Sequence, residues 1–328
     1  MVPTVKAATI SNVTFVRPAK FYFSGYSNIP YITYFLIFMC FVYIMTVVGN
    51  VFLMSVIYLV RTLHTPKYMI VFNLALADLC GSSASIPKVL DAFLFDRSEI
   101  VYEDCLSSMF FFYFFTDVQS WILVIMAYDR FIAICFPLRY HSIVTKPITH
   151  RFMFSLIASF WLFAITVTLT AAGLLTRLSF CKSVIIDSYF CDHGQIYRLA
   201  CNDSTPSYVI GKLLPVLILW LPLIFILFTY LYIGYALTKV ATVHERVKAL
   251  KTCTAHLSLV AIYFLPIIIT FVYMGNIHPN VRIINLSLTS VFPPMLNPII
   301  YVLQTEEIKK SVKKLFKVKL HTKIPIEK

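Results

Sequence analysis

The residues able to do chemistry in this sequence are a few charged side chains set in long apolar stretches. Asp78 and Asp117 each lie alone within such a stretch, and Asp129 stands directly before Arg130 at the end of another. Charged groups are costly in apolar surroundings, so they indicate ion pairing, ligand binding or conformational switching. No HExxH, CxxC, aligned Ser/His or paired-acid spacing accompanies them. The pattern favours a binding protein over an enzyme and gives no reason to expect a cofactor or a structural metal.

The composition places these side chains in a membrane. The chain has 328 residues, of which 59% are hydrophobic, 16% aromatic and 13% charged, and its mean hydropathy is +0.80. Soluble domains are nearer half apolar and a quarter charged. A chain of this size cannot bury so much apolar surface in its own core. The composition therefore excludes a soluble enzyme, a nucleic-acid-binding module and a disordered tail.

Seven apolar segments are long enough to cross a bilayer, which takes about 20 residues in a helix. Helices satisfy their own backbone hydrogen bonds in lipid, and the alternating pattern of membrane β-strands is absent from the sequence. The sequence predicts an all-α membrane protein with a seven-helix bundle over residues 31–303, an outer tail over 1–30 and a cytosolic tail over 304–328. The segments lie between these pairs of charged residues: Lys20 and Arg61, Lys67 and Lys88, Asp104 and Arg130, Arg151 and Arg177, Lys212 and Lys239, Lys251 and Arg282, and Arg282 and Glu306.

The net charge of +13 indicates orientation. With the N-terminus outside, the inner loops and tail carry roughly twice as many Lys and Arg residues as the outer ones, as membrane insertion favours. Asn12 begins an Asn-Val-Thr glycosylation acceptor in the predicted outer tail. The first thirty residues are polar and mixed, so we expect the first span to act as a signal anchor.

Four of the eight cysteines fall on the predicted outer side: Cys105, Cys181, Cys191 and Cys201. An oxidising environment there favours two disulfides. Four cysteines allow three pairings, and the spacing alone does not choose among them.

Several motifs resemble those of one receptor family. Residues 126–135 read MAYDRFIAIC, and PLRY follows at 137–140. This resembles the MAYDRYVAIC…PLRY signature of vertebrate olfactory receptors, a branch of the rhodopsin-like G-protein-coupled receptors. Further similar segments are LHTPKY at 63–68, KALKTCTAHL at 248–257, PMLNPIIY at 294–301 and Gly49-Asn50 in the first span. Pro266 and the doubled Pro293-Pro294 resemble the fish-like class of these receptors.

The resemblance implies a rhodopsin-like receptor in the plasma membrane that binds a small odorant in the outer half of the bundle. It also implies activation of a stimulatory, olfactory-type G protein that raises cyclic AMP. The implied coupling and switch residues are Asp129, Arg130, Tyr230, Asn297, Pro298 and Tyr301. The implied central polar cluster is Asn50, Asp78, Gln119 and Asn297, with Asp78 as the expected ligand of any sodium ion.

By the same resemblance Cys105 pairs with Cys191, and Cys181 with Cys201. Beyond the seventh span, residues 306–317 place apolar side chains on one face with lysines around it, which is typical of an amphipathic helix at anionic lipid. Three residues depart from the family pattern: Phe131 replaces a tyrosine, Lys67 a methionine and Gln119 a glutamate found in many members.

The residues that match the family's ligand pocket are mostly apolar and aromatic, as a small-molecule site requires. Asp117 and Lys212 are the two charges among them, so either is a candidate contact for a polar odorant. Alternatively, Asp117 bonds internally and Lys212 extends to the outer interface. The predicted pocket residues are Phe112, Tyr113, Thr116, Asp117, Lys212, Leu214, Ile218, Ile267, Phe271 and Ser287.

Other functions are less favoured. A transporter typically shows a doubled repeat with helices broken at matching positions, and the sequence shows neither. A non-olfactory rhodopsin-like receptor for a small amine or acid is the alternative within the same class.

Overall fold

The computed structural model describes residues 16–26, 29, 31–95, 97–136, 147–181, 183–239, 242–272 and 278–321. Asn12, the segment 137–140 and the side chain of Phe271 lie outside this description. Seven helices in the described part are long and apolar enough to cross a membrane, which confirms the predicted bundle. These helices are α1 (Ile32–Leu59), α2 (Pro66–Leu94), α3 (Tyr102–Cys135), α4 (Pro147–Leu175), α5 (Thr205–Thr238), α6 (Val243–Val272) and α7 (Pro279–Gln304), and α8 (Glu306–His321) follows them.

Helix α3 lies at the centre of the bundle. In its most apolar stretch 67% of the residues are buried, against 22% in α4. Large apolar side chains such as Leu162 of α4 and Phe228 of α5 are exposed on the outside of the bundle. Apolar side chains on the outside of a membrane bundle face lipid. The position of α3 explains why more of the predicted site residues fall on it than on any other helix.

Helix α5 is irregular because two prolines, Pro215 and Pro222, lie in its interior. Its α-helical ends, Thr205–Pro215 and Leu221–Thr238, flank a π-helical segment over Val216–Trp220. Pro222 has no N–H to donate to the carbonyl of Ile218 four residues earlier. The hydroxyl of Ser120 on α3 donates to that carbonyl instead, at 2.6 Å. The carbonyl that Pro222 leaves without its helical donor therefore makes a direct α3–α5 bond.

The bundle is covered at one end by a three-stranded sheet with the order β2-β1-β3. Strand β1 (Lys20–Phe23) pairs antiparallel with β2 (Glu99–Val101) and parallel with β3 (Ile185–Ile186). The segment beyond β1 enters the bundle, where Tyr26 is 1% exposed and its hydroxyl hydrogen-bonds Ser287 of α7. The described part of the predicted outer tail is thus packed against the helices.

Two disulfides hold the segment between α4 and α5. Cys105 at the start of α3 bonds Cys191, and Cys181 bonds Cys201, which are the pairs that the family resemblance implies. After Cys191 the chain makes a single helical turn at His193–Ile196, capped by Asp192, whose carboxylate accepts the Gly194 N–H at 3.1 Å. This segment therefore forms a fixed cover over the bundle, which we call the outer loop (residues 183–204).

Candidate functional site

A cavity of about 490 Å³ lies beneath the outer loop, between α2, α3, α5, α6 and α7. We call it the inner cavity. Its volume is within the range of small-molecule sites, which are mostly apolar with a few placed polar groups. The predicted pocket residues that line it are Phe112, Tyr113, Thr116, Lys212, Leu214, Ile218 and Ile267.

The structure does not bring Asp117 or Ser287 to this cavity. Successive helical residues are rotated by about 100°, so Asp117 faces away from the side of α3 that carries Thr116. Asp117 is fully buried and shares its helix face with Trp121, which stacks on Phe160 of α4 at 4.5 Å between ring centroids. Ser287 is bonded to Tyr26. Of the two predicted ligand-binding charges, only Lys212 borders the cavity, and its side chain is exposed.

His193 of the outer loop also lines the cavity, although it was not predicted from the sequence. The side chain is 1% exposed, and neither ring nitrogen has a hydrogen-bond partner among the described residues. Burial lowers the pKa of His193 to about 4 against the opposing charge of Asp192, so the ring is neutral at physiological pH. A neutral imidazole offers one donor and one acceptor to a ligand. Gly211 on α5 leaves room for the His193 ring, since a Cβ at position 211 would lie 3.3 Å from His193 Nδ1.

Tyr113 ties the outer loop to α3 above the cavity. Its hydroxyl donates to Asp192 Oδ1 at 2.7 Å, the same oxygen that caps the His193 turn. A hydrogen bond to a charged acceptor is stronger than a neutral one. The bond therefore fixes the cavity roof and occupies the Asp192 carboxylate with a protein partner.

Gln119 connects the cavity to the central polar cluster. Its side chain lines the cavity and donates from Nε2 to Asp78 Oδ1 at 2.9 Å. Asn297 of α7 donates to Asp78 Oδ2 at 2.7 Å. Asn50 instead donates to the Pro294 carbonyl at 2.8 Å, which joins α1 to α7. Three of the four predicted cluster residues therefore share one carboxylate.

The oxygen atoms near this cluster suit a hard cation, which binds carboxylate, amide and hydroxyl oxygens. Asn50 Oδ1 and Ser82 Oγ are buried and have no hydrogen-bond partner among the described residues. Ser82 lies one helical turn from Asp78. These oxygen ligands are consistent with sodium, and the sodium site stays a prediction.

The predicted coupling residues lie at the opposite end of the bundle. Arg130 Nη2 is 3.8 Å from Asp129 Oδ2, and both side chains are largely buried. Tyr301 donates its hydroxyl hydrogen to Met126 Sδ at 3.1 Å, so α7 contacts α3 just before the Asp129–Arg130 pair. Tyr230 Oη lies 2.7 Å from Nδ1 of His256 on α6, within hydrogen-bond distance.

Helix α7 approaches α1 closely above Tyr301. A Cβ at Gly49 would lie 2.9 Å from Cγ of Pro298, so only glycine fits there without displacement. Both residues of the Gly49-Asn50 pair therefore contact α7: Gly49 allows close packing and Asn50 donates a hydrogen bond.

Comparison with known proteins identifies the family. Residues 39–319 match the family model described as olfactory receptor. The chain belongs to the olfactory receptor family. It is 38% identical to olfactory receptor 1J2 of Homo sapiens over 84% of this chain and 87% of that receptor. It is 33% identical to olfactory receptor 52K1 of Homo sapiens over 94% and 98% of the two chains.

The fold of this olfactory receptor is that of rhodopsin. The crystal structure of squid rhodopsin superposes with a TM-score of 0.67 at 17% identity, covering 88% of this chain and 86% of that one. The protein is an odorant receptor and a multi-pass membrane protein, as the sequence predicts. Its assignment to the fish-like class stays a prediction.

The departures from the family pattern have local partners in this olfactory receptor. The Phe131 ring packs edge-on against Phe136 and Tyr232. Lys67 Nζ lies 3.1 Å from Glu307 Oε2 at the start of α8, and Tyr68 donates its hydroxyl hydrogen to the same oxygen. A methionine at position 67 offers no such ion pair. This α2–α8 connection was not predicted from the sequence.

Proposed function

We propose that the inner cavity binds a small odorant and that its occupancy activates a stimulatory, olfactory-type G protein, which raises cyclic AMP. The observation that carries this proposal is the position of Gln119. It lies on the cavity wall and bonds the carboxylate that holds Asn297 of α7. A ligand at Gln119 is therefore two hydrogen bonds away from the helix that bears Tyr301.

The proposed mechanism is a shift between two arrangements of the bundle. A ligand shifts such an equilibrium only by as much as it binds the two arrangements differently. A ligand that competes for the Gln119 amide weakens the hydrogen bond from Gln119 to Asp78. It thereby changes the hydrogen bond between the same carboxylate and Asn297. The inner ends of α3 and α7 meet at Met126 and Tyr301, where the G protein is proposed to engage Arg130.

We further propose that the outer loop and the N-terminus are extracellular and that α8 lies on the cytosolic leaflet. The disulfides support the first part, because disulfides persist in oxidising compartments. The excess of Lys and Arg at the other end of the bundle supports it too. On α8, Ile308 is fully buried against α1 and α2 while the lysines at 309, 310, 313 and 314 surround it. Such a helix suits anionic lipid.

The test is a cyclic AMP reporter in cells that express the full chain, exposed to a broad odorant panel. We expect an odorant-evoked rise that Arg130→Ala abolishes and that Arg61→Ala, an exposed cation at the same end of the bundle, preserves. Surface labelling of each variant separates lost coupling from lost expression. An odorant-evoked current or uptake that persists without a G protein would contradict the proposal and favour a channel or transporter.

A further inference from the structure

A second cavity of about 330 Å³ lies beside the first, between the outer ends of α1, α2 and α3, strands β1 and β2 and the outer loop. We call it the outer cavity. The lining surface is mostly apolar in both cavities, but five charged residues border the outer cavity, against Asp192, Arg198 and Lys212 for the larger inner one. The charged lining residues of the outer cavity are Lys88, Asp91, Arg97, Glu99 and Asp104.

The two cavities share a wall. Ser85, Phe112, Phe190 and Ser290 line both of them. The rings of Phe112 and Phe190 are in contact, with centroids 4.5 Å apart and planes inclined by 35°. These two rings are the only large side chains among the four shared residues, so their contact is what separates the two spaces.

The two sides of this aromatic contact differ in how firmly they are held. Phe190 precedes Cys191, whose disulfide to Cys105 fixes the outer loop to α3. Phe190 also packs against Tyr189, with ring centroids 4.8 Å apart. Phe112 is a side chain on a regular helix and is partly exposed to the cavities. Truncating Phe112 therefore removes one side of the aromatic contact and leaves the disulfide and Tyr189 that hold Phe190 in place.

The charged side chains of the outer cavity suit the polar end of a ligand. Lys88 Nζ contacts Ser108 Oγ at 2.8 Å, and no acid of the described residues lies within 4.0 Å of it. Arg97 and Glu99 have ion-pair partners in Asp91 and Lys20. An apolar chain end that entered this space would displace water from charged groups without replacing their hydrogen bonds, which costs free energy.

We propose that the Phe112–Phe190 contact sets the longest odorant chain that the inner cavity accepts, and that opening it admits the polar end of a longer, amphiphilic odorant to the outer cavity. This inference rests on the proposed function and adds the determinant of ligand length. Phe112 and Phe190 are in this sense specificity-determining residues. In the intact receptor potency rises with chain length until the chain end meets the aromatic wall, and then falls.

The test uses straight-chain primary alcohols from butanol to dodecanol, together with the α,ω-diols of the same lengths. Potency is measured with the cyclic AMP reporter in cells that express the full chain. We expect an optimum length in the wild type and a longer optimum in Phe112→Ala. Each extra methylene that becomes buried raises potency about fourfold. Among the chains longer than the wild-type optimum, the diols gain more than the mono-alcohols.

The matched control is Phe111→Ala, which removes the same ring from the neighbouring position, where it is 40% exposed and absent from both cavity linings. It leaves the optimum unchanged. Phe112→Leu and Phe190→Leu provide milder openings of the wall if Phe112→Ala does not reach the cell surface, and each lengthens the optimum.

Three results overturn the inference while leaving the proposed function intact. The first is an unchanged optimum in surface-expressed Phe112 variants, and the second is an equal shift in Phe111→Ala. The third is a wild-type receptor that responds to other odorants but to no alcohol or diol of any length. A wild-type receptor at the cell surface that raises cyclic AMP with no odorant of any class refutes the proposed function instead.

Discussion

Asn297 of α7 donates a hydrogen bond to Asp78 of α2 across the centre of the bundle, at 2.7 Å. The other oxygen of this carboxylate accepts from Gln119 of α3. One buried side chain therefore joins three helices that are distant in sequence. Its partners are amides, which leaves the carboxylate without a cationic group among its described hydrogen bonds.

Replacing Asp78 by Ala leaves the buried amides of Gln119 and Asn297 without their acceptor. Each unsatisfied buried amide costs about 1–3 kcal/mol, so the melting temperature of the detergent-solubilised receptor falls. Asp78→Asn keeps one acceptor oxygen, so its melting temperature falls by less. Ser159→Ala, whose exposed hydroxyl bonds a carbonyl of its own helix α4, serves as the control. Equal melting temperatures for Asp78→Ala and the control would show that the shared carboxylate contributes nothing to stability.

The Lys67–Glu307 pair is expected to hold the start of α8 against α2. Glu307→Gln removes the charge, and since the Glu307 side chain is 64% exposed the loss is about 1 kcal/mol or less. Amide hydrogen exchange in α8 becomes faster. Lys67→Met has the same effect, and the double variant is no worse than either single one because the two residues share one interaction. Lys314→Gln, at an exposed position about two turns further along α8, leaves exchange near the start of α8 unchanged, and a change there would refute the assignment.

The outer loop is expected to lose stability in acid because of His193. Its pKa of about 4 in the folded receptor lies below the ordinary value of 6.5, so the unfolded loop binds a proton that the folded loop does not. Stability therefore falls as the pH drops from about 6.5 to about 4, by about 2 kcal/mol between pH 7 and pH 5. His193→Gln removes this part of the pH dependence in thermal melts. A His244→Gln receptor, altered at an exposed position of α6, keeps it. Identical pH profiles for wild type and His193→Gln would contradict the expectation.

Asp117→Asn is expected to leave odorant potency within about twofold, since the side chain lies off the cavity and Asn has the same shape. Ile267→Ala, on the cavity wall, lowers potency about tenfold or more because it removes apolar contact with the ligand. Dose–response curves of surface-expressed variants measure both. A large loss of potency in Asp117→Asn for every odorant would restore Asp117 as the ligand-binding charge.

The spans were predictable because a bilayer demands an apolar length that the gaps between charges reveal directly. The direction of Asp117 was not predictable in this way. Helix α3 is buried on most of its surface, so hydrophobic periodicity does not distinguish its cavity side from its α4 side. His193 gave no signal either, since a single loop histidine is common. Its role depends on the turn capped by Asp192 and on the space left by Gly211, which are tertiary features.

The bond between Tyr26 and Ser287 joins residues 261 positions apart, and this separation has a consequence for biosynthesis. At ribosomal rates the tyrosine leaves the ribosome on the order of ten to fifty seconds before the serine is made. In the proposed orientation, the N-terminal segment therefore waits outside the membrane, with an aromatic side chain lacking its final site, until the seventh helix has been inserted. A chain truncated before α7 lacks Ser287 and so never forms this bond. The contact thus couples the final packing of the N-terminal segment to completion of the polypeptide.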